Sequence, residues 1–239
     1  MFQLSVSAAS SKSTTSSTGI IVPLYTYPTD SSWSSLVKIK ESYPSVPIIA
    51  IINPNNGVGS SKDSNYVSGV KQLQAGGIEV LGYVYTNYGS RTAKTIEDQI
   101  SDYKNWYGVN GIFFDEMSSS GSSLSYYKIL AAFVKSAGLA VTVGNPGTTI
   151  STNLVGVFSN ICIYENPGMP TTSDINGYTS YGRAGFSYIA YGVSNIPSKS
   201  TIEGTTNYVG YLYITNLGGS NPYDGLPSYL ASEASMLSS

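Results

Sequence analysis

Eight short apolar runs separated by longer polar segments constrain the fold of this 239-residue chain more than any other feature. Most of the runs are apolar throughout instead of alternating with polar residues, which is typical of strands covered on both faces in a parallel sheet. The runs are GIIVPLY (19–25), PIIAIIN (47–53), EVLGYVYT (79–86), GIFFDE (111–116), AVTVGN (140–145), NICIYE (160–165), SYIAYGVS (187–194) and GYLYITN (210–216).

The segments between the runs carry helical periodicity and capping residues. Four strong helix predictions cover 33–43, 65–75, 92–106 and 125–136, and four weaker ones cover 149–157, 171–181, 201–208 and 229–237. Eight strand–helix units in one chain predict an α/β fold, a single-domain (β/α)8 TIM barrel over residues 19–239. The Ser/Thr-rich stretch before it predicts a flexible leader over residues 1–18.

Composition excludes several classes of function. The chain has no His, so His-based metal sites and His-dependent nucleophilic catalysis are excluded within it. Its single Cys162 cannot form an internal disulfide. No Lys/Arg cluster indicates nucleic acid, and no apolar run reaches the ~18 residues of a membrane span. We therefore predict no cofactor and no metal, and a monomer is the favoured oligomeric state.

The carboxyl ends of the predicted strands carry aromatic and amide side chains, and these ends form the active-site face of such a barrel. The predicted substrate-binding residues are Tyr25, Asn53, Tyr85, Asn145, Tyr191 and Asn216. Aromatic rings stack on sugar faces, and amides hydrogen-bond sugar hydroxyls. No Lys or Arg ends a strand, which disfavours a phosphate or polyanion as ligand.

Three acids lie at the ends of two of these strands. Asp115 and Glu116 end the fourth run, and Glu165 ends the sixth. Strands four and six are close across the rim of an eight-stranded barrel, so these carboxylates can face one cleft. Two carboxylates flanking a bond are the minimal apparatus of glycoside hydrolysis. The alternative is that the acids cap loops or pair with cations such as Arg91, which the scarcity of nearby basic residues disfavours.

Several motifs occur together in an order that resembles the spherulin-4 family. They are IIVPLYTYP (20–28), IAIINPNNGVG (49–59), NYVSGVKQLQAGGIEVLGYVYTNYGSR (65–91), GIFFDEM (111–117), VTVGNPGT (141–148) and IYE (163–165). The resemblance implies a secreted or cell-surface barrel. Characterised relatives belong to glycoside hydrolase family 135 and cleave α-1,4-linked N-acetylgalactosamine in exopolysaccharides. The family's acidic residues match Asp115, Glu116 and Glu165.

The carboxylates predict a glycoside hydrolase, and the resemblance implies that it is endo-acting and cleaves an α-linked amino-sugar exopolysaccharide outside the cell or at its surface. We assign Glu165 as the general acid/base and Asp115 as the nucleophile. Because side chains alternate along a strand, Glu116 should not share the orientation of Asp115, and it is the fallback nucleophile. Two alternatives stay open, namely a non-catalytic cell-surface or matrix carbohydrate-binding barrel and a glycosidase for another polysaccharide.

Overall fold

The computed structural model describes residues 17–238 and contains a closed barrel of eight parallel strands in chain order. The strands are β1 (Gly19–Leu24), β2 (Ile48–Ile52), β3 (Glu79–Tyr85), β4 (Gly111–Asp115), β5 (Val141–Gly144), β6 (Asn160–Pro167), β7 (Phe186–Tyr191) and β8 (Tyr211–Ile214). The barrel closes where β8 pairs with β1. The predicted (β/α)8 TIM barrel is confirmed.

Helices connect the strands everywhere except between β5 and β6. They are α1 (Ser31–Ser42), α2 (Ser64–Ala75), α3 (Ala93–Asp102), α4 (Leu124–Ser136), α5 (Thr172–Ile175), α6 (Lys199–Thr206) and α7 (Leu230–Leu237). Aspartates cap the first two: Asp30 accepts from the Ser32 amide and Asp63 from the Asn65 amide. The helix predicted over 171–181 is only the four-residue α5 followed by a 3₁₀ turn at Asn176–Tyr178.

The helix predicted over 149–157 is wrong. Only a 3₁₀ turn at Thr152–Leu154 forms there. Gly147 and Gly156, on either side of this turn, have φ angles of 63° and 81°, in the left-handed region that ends helices. The chain instead returns along the rim, where the Glu165 amide donates to the Gly147 carbonyl at 3.0 Å. The missing helix thus brings this connection against the end of β6.

Side chains of β3 and β4 alternate between the barrel interior and the helical layer. A Cβ on Gly82 would meet the ring of Tyr103 at 2.5 Å, so Gly82 faces the helical layer. Its neighbour Tyr83 therefore points inward, where its ring stacks on Phe113 of the next strand with centroids 6.3 Å apart. Asp115 lies two residues beyond Phe113 and shares its face of the strand.

The first residues of the described chain contact the end of the barrel where the strands begin, opposite the end that carries Asp115. Ser17 donates to the Ser45 carbonyl at 3.1 Å, and Arg183 donates to the Thr18 hydroxyl at 2.7 Å. The rest of the leader predicted over 1–18 lies outside the described residues. No helix within residues 17–238 has the length and apolar character needed to cross a bilayer.

Candidate active site

Two adjacent acids lie at the end of β4, and the second of them, Glu116, has an unusual backbone conformation. Glu116 has a φ of 48°, which is uncommon for a residue with a side chain. Its carbonyl accepts hydrogen bonds from the Tyr88 amide and the Thr86 hydroxyl, both at 2.7 Å. The left-handed residue interrupts the strand alternation on which our expectation for Glu116 rested. Its carboxylate lies near enough to Tyr83 to contribute to the raised pKa of that phenol.

Asn145, after β5, joins the two strands that carry the acids. Its side-chain nitrogen donates to Asp115 Oδ1 at 2.8 Å and to Glu165 Oε2. Its side-chain oxygen accepts from the Gly147 amide at 3.0 Å, which fixes the orientation of the carboxamide. Because one nitrogen bonds both carboxylates, the two acceptor oxygens lie within about 6 Å of each other. The residue is only 5% exposed.

Each carboxylate receives a second hydrogen bond, from a tyrosine. Tyr83 donates to Asp115 Oδ2 at 2.8 Å, and Tyr223 donates to Glu165 Oε1. The ring of Tyr25 stands edge-on to both of these tyrosines, with centroid distances of 5.7 and 5.5 Å. All four oxygens of the two acids therefore accept a hydrogen bond, and three aromatic rings surround the pair.

Burial and charge shift the titration of this cluster. Burial of the Glu165 carboxyl group raises its pKa, and the charge of Asp115 adds to the rise, against the hydrogen bonds from Tyr223 and Asn145. Burial and the nearby carboxylates also raise the pKa values of Tyr25, Tyr83 and Tyr223 well above their usual value, so these phenols remain protonated. Glu165 therefore keeps its proton to higher pH than a solvent-exposed glutamate, as a general acid requires.

The remaining predicted rim residues lie around this centre or in its loops. Tyr85 pairs with Asp115 across β3 and β4, and the guanidinium of Arg91 lies 4.0 Å from the centroid of its ring. Arg91 also donates to the Tyr85 carbonyl at 2.7 Å. Tyr191 ends β7 and is half-buried.

The amides of Asn53 and Asn216 hold loops, in contrast to that of Asn145. The Asn53 side-chain oxygen accepts from the Gly57 amide at 2.9 Å, and that of Asn216 accepts from the Ser228 amide at 3.0 Å. The structure brings together Asp115, Asn145, Glu165 and Tyr25. It leaves the carboxamides of Asn53 and Asn216 with their oxygens bonded to the main chain.

Sequence reasoning missed two site residues. Tyr83 had a usable signal, because it lies two positions before the predicted Tyr85 and so on the same face of the strand. Tyr223 had none, since it belongs to the aperiodic loop between β8 and α7 and reaches Glu165 from 58 positions away in the chain.

Within residues 17–238, no Lys or Arg forms an ion pair with any of the three acids. Within residues 17–238 the ion pairs are Lys94–Asp98 and Lys199–Glu203, both on helix surfaces. The same residues contain no group of three or more His, Cys, Asp or Glu placed to hold a metal ion. Asp115 and Glu165 are thus arranged around an amide and two phenols, with no cation of the described chain between them.

The model of the spherulation-specific family 4 matches residues 19–237. Spherulin-4 from Physarum polycephalum is 35% identical over 234 residues, which cover 90% of this chain and 69% of that protein. The match therefore spans the whole barrel, including every residue of the cluster just described.

Solved structures share the fold at lower identity. Sph3 from Aspergillus clavatus, determined in complex with GalNAc, superposes with a TM-score of 0.84 and 23% identity, covering 94% of this chain and 99% of that one. Tryptophan synthase from M. tuberculosis reaches a TM-score of 0.57 at 11% identity, with 93% of each chain covered. Such a distant barrel shows that the fold alone does not assign an activity. The chain belongs to the spherulation-specific family 4, of which spherulin-4 is a member.

Proposed function

We propose that this protein is a glycoside hydrolase that cleaves an α-linked, N-acetylgalactosamine-containing polysaccharide at internal positions. The observation that carries the proposal is the bridge from one Asn145 nitrogen to Asp115 and Glu165, which holds the two carboxylates close together at the rim of the barrel. The similarity of this chain to Sph3, whose structure was determined in complex with GalNAc, supports an amino sugar as the ligand. Such a polymer lies outside the cell, so we also propose an extracellular or cell-surface location.

In the proposed mechanism Glu165 and Asp115 act on opposite sides of the scissile bond. Glu165 donates its proton to the glycosidic oxygen as the bond from that oxygen to the anomeric carbon breaks. A carboxylate oxygen of Asp115 attacks the same carbon and forms a glycosyl-enzyme ester. Glu165, now ionised, removes a proton from water, which attacks the anomeric carbon and releases Asp115. This sequence returns both acids to their starting states.

The short separation of the acids favours this retaining route. Retaining enzymes hold their carboxyl groups ~5–5.5 Å apart, whereas inverting enzymes leave ~6.5–9.5 Å for a water. Because one Asn145 nitrogen hydrogen-bonds both Asp115 and Glu165, the distance between their acceptor oxygens is compatible with the range of retaining enzymes. In an α-linked 2-acetamido sugar the acetamido group is poorly placed to attack opposite the leaving oxygen. A protein nucleophile is therefore favoured over substrate assistance.

The other residues receive supporting roles in the proposal. Tyr83 and Asn145 orient Asp115, and Tyr223 and Asn145 orient Glu165. Tyr25, between the two phenols, contacts the sugar bound at the cleavage point. Glu116, next to Asp115 at the rim, binds substrate or adjusts the electrostatic potential at the two catalytic acids. It is also the alternative nucleophile. Tyr85, Tyr191, Asn53 and Asn216 border the cleft as further candidate contacts.

The test is incubation of the wild-type protein with a panel of α- and β-linked amino-sugar polymers and neutral polysaccharides. We expect new reducing ends and a rapid fall in chain length with an α-1,4-linked N-acetylgalactosamine polymer, and proton NMR should detect the α-anomer first. Binding without new reducing ends would instead support a carbohydrate-binding barrel. Cleavage of another member of the panel would reassign the substrate.

A further inference from the structure

Tyr88 is the most exposed large hydrophobic side chain among residues 17–238, at 64%. It lies in the connection after β3, on the same end of the barrel as Asp115. A single exposed aromatic residue is ordinary on a protein surface. Its backbone conformation and its contacts distinguish this one.

The loop that carries Tyr88 is held in a strained conformation. Asn87, Tyr88 and Gly89 have φ angles of 47°, 55° and 85°, which place three consecutive residues in the left-handed region. For a bulky side chain this conformation is an outlier, and such outliers cluster at functional sites. The Tyr88 amide donates to the Glu116 carbonyl at 2.7 Å, so the strained loop is bonded directly to the strained residue beside Asp115.

A buried network keeps this loop in place. The Thr86 hydroxyl donates to the Glu116 carbonyl and lies 3.3 Å from the Tyr127 hydroxyl, which accepts from the Ser118 amide at 2.6 Å. Thr86 itself is fully buried. The loop after β3 and the loop after β4 are thus one hydrogen-bonded unit. A ring presented by such a unit loses little conformational entropy when a ligand binds it.

Another exposed tyrosine on this end of the barrel, Tyr27, is accounted for by its contacts. Its hydroxyl donates to Asp63 at 2.9 Å and accepts from Asn65 at 2.8 Å, and its ring stands edge-on to Tyr66. No hydrogen bond or ring contact joins the side chain of Tyr88 to another residue of the described chain. The structure therefore stabilises the backbone of Tyr88 while leaving its ring to face outward.

We propose that Tyr88 forms a sugar-binding subsite beside the catalytic cleft, stacking on a pyranose ring of the polymer away from the cleaved bond. The inference rests on the proposed function. A pyranose fits because its C–H face matches an aromatic ring, whereas an anionic ligand would meet the charges of Asp115 and Glu116. A substrate must extend beyond the cleavage point to reach this ring, so Tyr88 selects for polymers over short oligosaccharides.

The first test compares Tyr88→Ala and Tyr88→Trp with Tyr181→Ala. Tyr181 is 41% exposed but packs edge-on against Phe186 at the start of β7, at the opposite end of the barrel, and serves as the matched control. Tyr88→Ala should raise KM for an α-1,4-linked N-acetylgalactosamine polymer about 3- to 10-fold, the size of one aromatic stacking contact. Its kcat on the polymer, and its KM for the shortest oligosaccharide that the wild-type protein cleaves, should not change. Tyr88→Trp should keep the wild-type KM.

An unchanged polymer KM in Tyr88→Ala, or an equal rise with the shortest oligosaccharide that is cleaved, would overturn the inference. The second test measures retardation by the same polymer in affinity electrophoresis, using the Glu165→Gln background so that no cleavage occurs. Retardation that Tyr88→Ala weakens supports the subsite even if the wild-type protein cleaves nothing, in which case only the proposed hydrolysis fails. If the wild-type protein cleaves the polymer but Tyr88→Ala does not change the retardation, the proposed function is supported and the subsite is contradicted.

Discussion

Two glutamates in this barrel, Glu165 and Glu233, have pKa values raised by burial, and only Glu165 belongs to the proposed active site. Glu165, at the rim, accepts hydrogen bonds on both oxygens and lies beside Asp115. Glu233, in α7, is 0% exposed, and within the described chain neither of its oxygens has a hydrogen bond of good geometry, although the Ile214 amide lies close to the carboxyl group. Burial raises the pKa of Glu233 well above its usual value, and only the Ile214 amide opposes the rise.

The difference shows that a raised pKa does not by itself identify a catalytic acid. The surroundings of Glu233 are the rings of Tyr188, Tyr213 and Tyr229, whose pKa values its charge would raise. The Tyr213 hydroxyl is also buried without a partner. At Glu165, by contrast, a second carboxylate, an amide and a phenol converge on the group. Convergent hydrogen-bond partners at the rim of the barrel distinguish Glu165, the proposed catalytic acid, from the buried Glu233.

The largest expected effect is the loss of hydrolysis when Asp115 is neutralised. Asp115→Asn should lower kcat on the order of 10³-fold, because the amide cannot attack the anomeric carbon. Thermal unfolding should stay close to wild type. Reducing-end assays measure the loss, with Glu116→Gln, one position away, as the matched control that keeps activity within about 10-fold. If Glu116→Gln is the inactive variant and Asp115→Asn is active, the two acids exchange roles.

A smaller effect should follow removal of the phenol that bonds Glu165. The Tyr223 hydrogen bond lowers the pKa of Glu165, so Tyr223→Phe should raise that pKa further and extend the protonated form to higher pH. The alkaline limb of the kcat–pH profile should therefore move upward. The lost charge-assisted hydrogen bond should reduce kcat about 10-fold. Tyr181→Phe, at the opposite end of the barrel, should leave the profile unchanged, and a downward shift in Tyr223→Phe would contradict the assignment.

At the other glutamate the expected effect is on stability alone. Glu233→Leu removes a buried carboxyl group that has no hydrogen bond of good geometry within residues 17–238, so the free energy of unfolding should rise by about 1–3 kcal/mol while activity stays at the wild-type level. Chemical denaturation measures the change. Glu203→Leu, at an exposed position on α6, should change stability by less than about 0.5 kcal/mol. Destabilisation by Glu233→Leu would show that Glu233 has a stabilising partner.

The most gradual effect is the pH dependence of stability. Between the unfolded and folded pKa values of a raised carboxyl group, the native state holds a proton that the unfolded state has lost, so stability falls as pH rises. For Glu233 and Glu165 this window begins near the usual value of 4.5. Denaturation midpoints should therefore fall from about pH 4.5 towards neutrality, with a limiting slope of about 1.4 kcal/mol per pH unit for each group.

Glu233→Leu should reduce the fall of stability with rising pH. A wild-type stability that increases from about pH 4.5 towards neutrality would contradict the prediction. Asp30 and Asp174 act in the opposite sense, because hydrogen bonds from Ser32 and from Thr171 lower their pKa values. Their contribution is lost only as pH falls below their usual value of 3.8. The two effects therefore occupy separate parts of the profile.

Sequence reasoning recovers the parts of the molecule that local pattern determines. Continuous apolar runs predicted all eight strands, and the barrel geometry placed Asp115, Asn145 and Glu165 at one rim because each lies at or near the carboxyl end of a strand. It could not give the amide bridge between the acids, which depends on the return of the chain at Gly147 in place of a helix. It also missed Tyr223, because no periodicity marks a loop residue whose partner is 58 positions distant.

The comparison of the two glutamates is tested most directly by a pair of nearly isosteric variants, Glu165→Gln and Glu233→Gln. Both should be assayed for new reducing ends on an α-1,4-linked N-acetylgalactosamine polymer that the wild-type protein cleaves, with thermal unfolding of each variant as the control for folding. We expect Glu165→Gln to remain folded and lose hydrolysis and Glu233→Gln to retain it. Full hydrolysis by folded Glu165→Gln would contradict the assignment of Glu165 as the general acid/base.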